Sequence, residues 1–189
     1  MIDKLEFLLA QGYQPVFASQ LADGESLPPK PAAVTFDDGT ADNLENAFPV
    51  LQALGVKATI FLVPEWMGRR NGWEDPAVEA WQRTLSWDQA RRLSESGLVE
   101  FGSHTMSHRD LRGLDDEELA WELCESKRRI ERELGRRAGA FAYPFGAGAY
   151  DPRVRAAVLA AGYPCDFGVK QGLAPRDWTP ARGPLKRLL

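Results

Sequence analysis

Two short stretches of this 189-residue chain gather side chains able to do chemistry. In the first, Ala32 to Gly39, a run of strand-forming residues (Val34, Thr35, Phe36) ends in two adjacent carboxylates, Asp37 and Asp38, and a glycine. Neighbouring acids at a strand end repel unless a metal ion, another cation or a shared proton offsets their charge. Asp-Gly is also a common turn dipeptide, so the pair by itself is equally a polar turn behind a buried strand. The second stretch, Ser103 to His108, holds the only two histidines of the chain, His104 and His108, again behind an apolar run (Leu98, Val99, Phe101). Imidazole is a common ligand for borderline metals, and a pair spaced i, i+4 can face one way across a turn. Thr105 stands where the metalloprotease pattern H-E-x-x-H carries its glutamate, so this is not that motif. Two histidines set together in a chain with no others favour ligation over a surface loop.

The elements around these stretches alternate between strand and helix. Ile2 to Gln11 has the pattern of a short amphipathic helix, with Ile2, Leu5 and Leu9 facing inward, Phe7 beside them, and Gly12 at its end. Tyr13 to Ala18 suits a short strand, followed by a turn-rich connection over 21–31. Thr40 to Gly55 is helical, with Pro49 opening a second segment where its missing N–H is tolerated. Lys57 to Val63 is a buried strand. Pro64 to Leu85 is less regular and contains Trp66, Trp73 and Trp81, either a small apolar cluster of its own or indoles able to stack on a sugar. Ser86 opens a helix with a capping box and Gly97 closes it. Leu98 to Gly102 is the strand that delivers His104. Asp115 caps a long helix with Glu118 three residues on, a stripe of Leu119, Leu123, Ile130 and Leu134, and Gly135 at its end; Lys127 to Arg129 on it form a solvated face. Ala138 to Tyr143 is a strand running into Pro144, Phe145 and Gly146. Asp151 and Pro152 open the last helix, and Cys165 to Val169 and Leu185 to Leu189 are the last strands. This alternation predicts a parallel sheet with helices outside it. In a β/α barrel all strand C-termini share one face, so Asp37, Asp38, His104, His108 and Phe145 can converge although far apart in sequence.

T-F-D-D-G (Thr35 to Gly39), S-H-T-M-S-H (Ser103 to His108) and F-A-Y-P-F-G (Phe141 to Gly146), in that order, resemble the polysaccharide deacetylase family, the carbohydrate esterases with a NodB-type homology domain. The resemblance runs from about Phe7 to the C-terminus and is nearest the branch acting on poly-N-acetylglucosamine and related exopolysaccharides. It implies one domain over residues 1–189 with the distorted (β/α) barrel of that family, here lacking the strand that usually precedes the first helix. It implies a hydrolase removing N-acetyl groups from an N-acetylglucosamine-containing carbohydrate with one divalent ion, zinc first and cobalt, nickel or manganese after it. By resemblance Asp38, His104 and His108 are the metal ligands and Asp37 is the general base. The Phe145 N–H stabilises the oxyanion, and Tyr143 and Pro144 help shape the acetyl pocket. Trp66 and Trp73 are the candidates for a sugar-stacking wall.

Two departures from the family pattern matter. Ala142 stands where many members carry an arginine that orients the base, and there is no third histidine to serve as general acid near the C-terminus. The closing P-L-K-R-L-L resembles the exopolysaccharide branch, which makes Arg187 the candidate to orient Asp37. Arginine does not give up its proton at ordinary pH, so it cannot replace the acid. Two rival functions follow: a weakly active or non-catalytic metal-containing glycan-binding module, and a metal-dependent amidase or deformylase acting on a small molecule.

Composition narrows the partners. A net charge of −4 gives no reason to expect nucleic acid. No apolar run is long enough to span a membrane. The opening M-I-D-K-L-E-F carries charges where a signal peptide needs an apolar core, so the chain is expected to be cytoplasmic as it stands, or a trimmed part of an exported protein. Cys124 and Cys165 are expected as two free, partly buried thiols. No phosphate-binding or dinucleotide-binding glycine motif occurs, and nothing in the sequence sets the oligomeric state.

Overall fold

The structure is a computed structural model that describes residues 1–22, 27–73, 75–77, 80–175 and 177–188. The turn-rich connection at 21–31, the tryptophan-bearing loop at 64–85, the loop at 172–184 and the end of the last strand therefore lie partly outside the described residues.

Six strands, β3 (Val34–Phe36), β4 (Ala58–Leu62), β5 (Val99–Ser103), β6 (Ala140–Ala142), β7 (Cys165–Gln171) and β8 (Leu185–Arg187), pair in chain order and all in parallel. Two shorter strands, β1 (Gln14–Pro15) and β2 (Pro31–Ala32), pair separately. Because every neighbouring pair is parallel, each connection must cross over, and the helices α2 (Phe48–Leu54), α3 (Trp87–Glu95), α4 (Asp116–Leu134) and α5 (Pro152–Ala160) provide crossovers. Curled and unclosed, this sheet is a half-barrel: among the described residues β3 and β8 end the strand order and do not pair.

The period-2 alternation of the strands divides the core. Ala58, Ile60 and Leu62 of β4 face out and pack with Leu51, Leu85, Leu93 and Val99. Phe61 faces in, among Ala140, Ala142, Cys165, Phe167 and Leu185. Residues next to β1 close the far end of this inner layer: Ala18 N–H donates to Thr59 Oγ1 (2.9 Å) and Ser19 Oγ donates to Glu100 Oε2 (2.6 Å).

Helix starts and stops follow the sequence closely. Ser86 and Asp115 form capping boxes with Gln89 and Glu118. Gly135 ends α4 in the left-handed conformation, and Pro49 lies in the first turn of α2, behind a π-turn over Asn43–Ala47. Three expectations fail. In α1 (Ile2–Ala10) only Leu5 is buried, while Ile2 and Phe7 face solvent, because the helix touches the body along one narrow line. Lys127 is not simply solvated: its ammonium donates to Ala138 O and lies 4.6 Å from the centre of the Tyr163 ring. Neither cysteine is partly buried as expected: Cys124 is exposed and Cys165 is buried, with its thiol donating to Ala18 O at 3.1 Å, and neither is in a disulfide. No helix of the described residues is long and apolar enough to cross a membrane.

Candidate metal and catalytic site

The three motifs meet at the C-terminal ends of the strands. Asp37 and Asp38 follow β3, His104 and His108 follow β5, and Phe145 follows β6. The chain turns sharply at each end. Asp38, Thr105, His108 and Phe145 have φ of 67°, 67°, 68° and 57°, and among the described residues these four are the non-glycine residues with positive φ. Such backbone is disfavoured for L-residues, most of all for a β-branched threonine, and persists where surrounding contacts enforce it. Gly39 (φ 60°) completes the first turn in the left-handed region that glycine favours, and a Cβ there would also press on Leu62 Cδ2 at 2.6 Å.

Asp38 Oδ1 lies 3.4 Å from His104 Nε2 and 3.2 Å from His108 Nε2, and the ligand atoms of the three side chains all fall within 4.8 Å of one another. Asp38 Oδ1 is buried and makes no hydrogen bond, so these short approaches lack hydrogen-bond geometry. An orphaned carboxylate oxygen facing two imidazole nitrogens is costly unless a cation sits between them, and one oxygen with two nitrogens is a donor set that zinc accepts. The residues present fit a divalent ion.

The tautomer of His104 is set by its partner. Nδ1 lies 2.7 Å from the Ala142 carbonyl, which can only accept, so Nδ1 carries the proton and Nε2 presents its lone pair to Asp38. Burial holds His104 below the usual imidazole range, outweighing the carboxylates of Asp37 and Asp38. His108 is fixed differently. Its ring stacks on Trp73 (centroids 4.4 Å, 26°), meets the edge of Phe145 at 4.7 Å, and leaves a buried Nδ1 without a partner.

Asp37 is gripped by Arg187 from β8, whose Nη1 and Nη2 donate to the two carboxylate oxygens at 2.7 and 2.9 Å; Arg187 Nε donates to Gly168 O at 3.1 Å. Burial pushes the Asp37 carboxyl up, but His104 and the hydrogen bonds and charge of Arg187 outweigh it and hold the group below the ordinary carboxylate value.

Trp73 reaches the site, with Trp66 edge-on behind it at 5.9 Å and seated over Gly72. Phe145 is exposed beside His108. Tyr143 and Pro144 were expected to shape the acetyl pocket. Both are buried, and the Tyr143 side chain turns into the outer core, where its hydroxyl donates to Asp166 at 2.9 Å. Strand alternation explains this: Tyr143 continues the outward face of Phe141, away from the site. Arg155 of α5 pairs with the buried Asp166 at 3.1 Å and also donates to Pro180 O. Asp166 and Arg155 escaped the sequence reading. So did Glu122, whose place between Leu119 and Leu123 on an apolar helix face was the available signal.

The fold is thus a parallel half-barrel that carries an Asp-Asp-His-His constellation at its strand C-termini. The chain belongs to the polysaccharide deacetylase family, whose profile matches residues 24–165. The Bacillus subtilis protein YxkH, which carries a polysaccharide deacetylase name, is 29% identical over 177 residues, covering 92% of this chain and 58% of that protein. The Escherichia coli K12 poly-beta-1,6-N-acetyl-D-glucosamine N-deacetylase is 32% identical over 111 residues, covering 54% of this chain and 16% of that enzyme. The crystal structure of a polysaccharide deacetylase from Bacillus cereus superposes with a TM-score of 0.79 at 26% identity, covering 99% of this chain and 55% of that one. The chain thus spans under two thirds of the length of each of these relatives.

Proposed function

We propose that this chain is a metal-dependent N-deacetylase acting on an N-acetylglucosamine-containing glycan. The observation that carries this reading is the convergence of Asp38 Oδ1, His104 Nε2 and His108 Nε2 beside an Asp37 held by Arg187. Asp38, His104 and His108 would hold one divalent ion, zinc or else cobalt, nickel or manganese, which would supply Lewis acidity toward water and the acetyl carbonyl.

The chain's own residues do the rest. Asp37, kept ionised by its neighbours, accepts a proton from the attacking water. Arg187 fixes both oxygens of Asp37 so that the carboxylate meets the water in one orientation. The backbone N–H of Phe145 donates to the acetyl oxygen as negative charge grows on it; the hydrogen bonds of that turn are made by Gly146 N–H and Ala147 N–H. The carbon–nitrogen bond breaks, acetate leaves, and the amine needs one proton. Both histidines of the chain are assigned as ligands and the Arg187 guanidinium keeps its proton at ordinary pH, so Asp37 returns the proton it took. Trp73, buttressed by Trp66, and Phe145 lie on either side of the His108 ring and are suited to stack on sugar rings.

Acetate release from N-acetylglucosamine oligomers by metal-stripped protein, before and after adding each metal, tests the reading. β-1,6-linked oligomers come first because the Escherichia coli relative is named for that substrate. Restored activity that is absent in Asp37→Asn supports a deacetylase. Metal uptake with no acetate from any oligomer supports the glycan-binding module, which the vacant acid position favours, or an amidase on a non-polymeric substrate.

A further inference from the structure

We propose that Glu122 is the positioning residue for the histidine turn: a buried carboxylate that holds residues 105–107 so that His108 faces Asp38. The inference rests on the metal-site reading above. Glu122 lies on α4 with no exposed surface. Among the described residues no Lys, Arg or His side chain pairs with it, so its charge is met by hydrogen-bond donors alone. Met106 N–H and Ser107 N–H donate to Oε2 at 2.8 and 3.0 Å, and the Ser107 hydroxyl donates to Oε1. All three donors come from the segment between the two histidines. A carboxylate collecting backbone N–H groups is a strong, directional clamp.

The clamp sits where the backbone needs one. Thr105 and His108, immediately either side of the two donor residues, are both left-handed. Glu122 secures the turn from below, and Glu65 N–H donating to Met106 O (3.0 Å) and His108 N–H donating to Thr105 Oγ1 (2.9 Å) close it from other sides. One helical turn along α4, Ser126 Oγ lies 2.8 Å from Ser103 Oγ, so the helix grips the segment at two points spaced i, i+4.

The two histidines depend on this clamp unequally. His104 follows β5 directly, its N–H donates to Leu62 O at 2.8 Å, and its ring is tied to Ala142 O. Among the described residues the His108 side chain makes no hydrogen bond, its buried Nδ1 included, and its ring direction follows from its backbone and from Trp73 and Phe145. Loss of the clamp should therefore release His108 and leave His104 in place.

The test compares wild type, Glu122→Gln, Glu122→Asp and Ser107→Ala by two readouts: imidazole NMR signals of the metal-free proteins, and Co2+ titration followed by visible absorption. In Glu122→Gln the His108 signals shift or broaden while those of His104 hold, and Co2+ affinity falls about tenfold to hundredfold, the usual effect of removing an outer-shell partner. Glu122→Asp recovers part of the affinity. Ser107→Ala, which removes one donor and keeps the carboxylate, moves both readouts the same way by less, and decides the matter if Glu122→Gln does not fold. Unchanged His108 signals with Co2+ affinity within about twofold of wild type overturn the proposal. Wild type that takes up no Co2+, with His108 still moving in Glu122→Gln, overturns the metal-site reading and upholds the placement of His108 by Glu122.

Discussion

Arg187 and Asp37 join the two ends of the half-barrel: two near-parallel hydrogen bonds of 2.7 and 2.9 Å link β8 to the end of β3, strands that do not pair through their backbones. The third-motif position that would supply an arginine in many relatives is Ala142, a small residue of the inner layer whose carbonyl accepts from His104. The guanidinium comes instead from the far edge of the sheet.

Arg187→Ala should lower kcat for acetate release without abolishing metal uptake. The loss should not exceed the roughly 10²- to 10⁴-fold that a general base supplies, because Arg187 acts through Asp37. Arg187→Lys should recover little, since a lysine keeps the charge but not the two-pronged grip. Steady-state kinetics beside a metal titration checks both.

In metal-free protein, His104 should titrate below 6.5, because burial disfavours its charged form. The unfolded chain then binds more protons than the folded one between the folded value and 6.5. Stability from His104 is therefore complete above 6.5 and is lost as pH falls through the folded value. Asp37 acts with the same sign in a more acidic window, its contribution present above 3.8 and lost below its depressed folded value. Two histidines in the whole chain make the NMR titration simple to assign, and urea unfolding at several pH values checks the linkage.

Asp166→Asn should destabilise the fold by about 3–5 kcal/mol, because it leaves the largely buried Arg155 without its charge partner. Tyr143 and the Pro180 segment are tied to the same pair, so the midpoint of urea unfolding should fall together with activity.

Trp73→Ala should raise KM for oligomers by a few-fold to about tenfold, the range an aromatic contact contributes. Single N-acetylated sugars should be affected less. Unchanged oligomer affinity would reduce Trp73 to a packing surface for His108.

Local signals carried far in this chain. Helix boundaries at Ser86, Asp115 and Gly135 and the strand ends before Asp37 and His104 are visible because caps and abrupt switches from apolar to polar residues are local. The pairing of Arg187 with Asp37 was approached through family likeness, since the two residues are 150 positions apart and no periodicity links them. The outward turn of Tyr143 was hidden because the short strand β6 gives too few alternations to fix its register beyond Ala142. Glu122 carried one local signal, its place on the apolar face beside Leu119 and Leu123, but its partners Met106 and Ser107 lie 16 and 15 positions away and no periodicity points to them.

The four left-handed residues of the strand-end turns have a consequence for evolvability. A search for thermostable variants would be drawn to Phe145, and less strongly to Thr105, whose Oγ1 also accepts from His108 N–H, because glycine relieves a backbone penalty of about 1–2 kcal/mol at such positions. Each such gain would widen the range of shapes open to the turn that carries His108 or to the one that carries the Phe145 amide, proposed above to face the oxyanion. Along these three turns, selection for heat resistance and selection for turnover pull on the same dihedral angles in opposite directions.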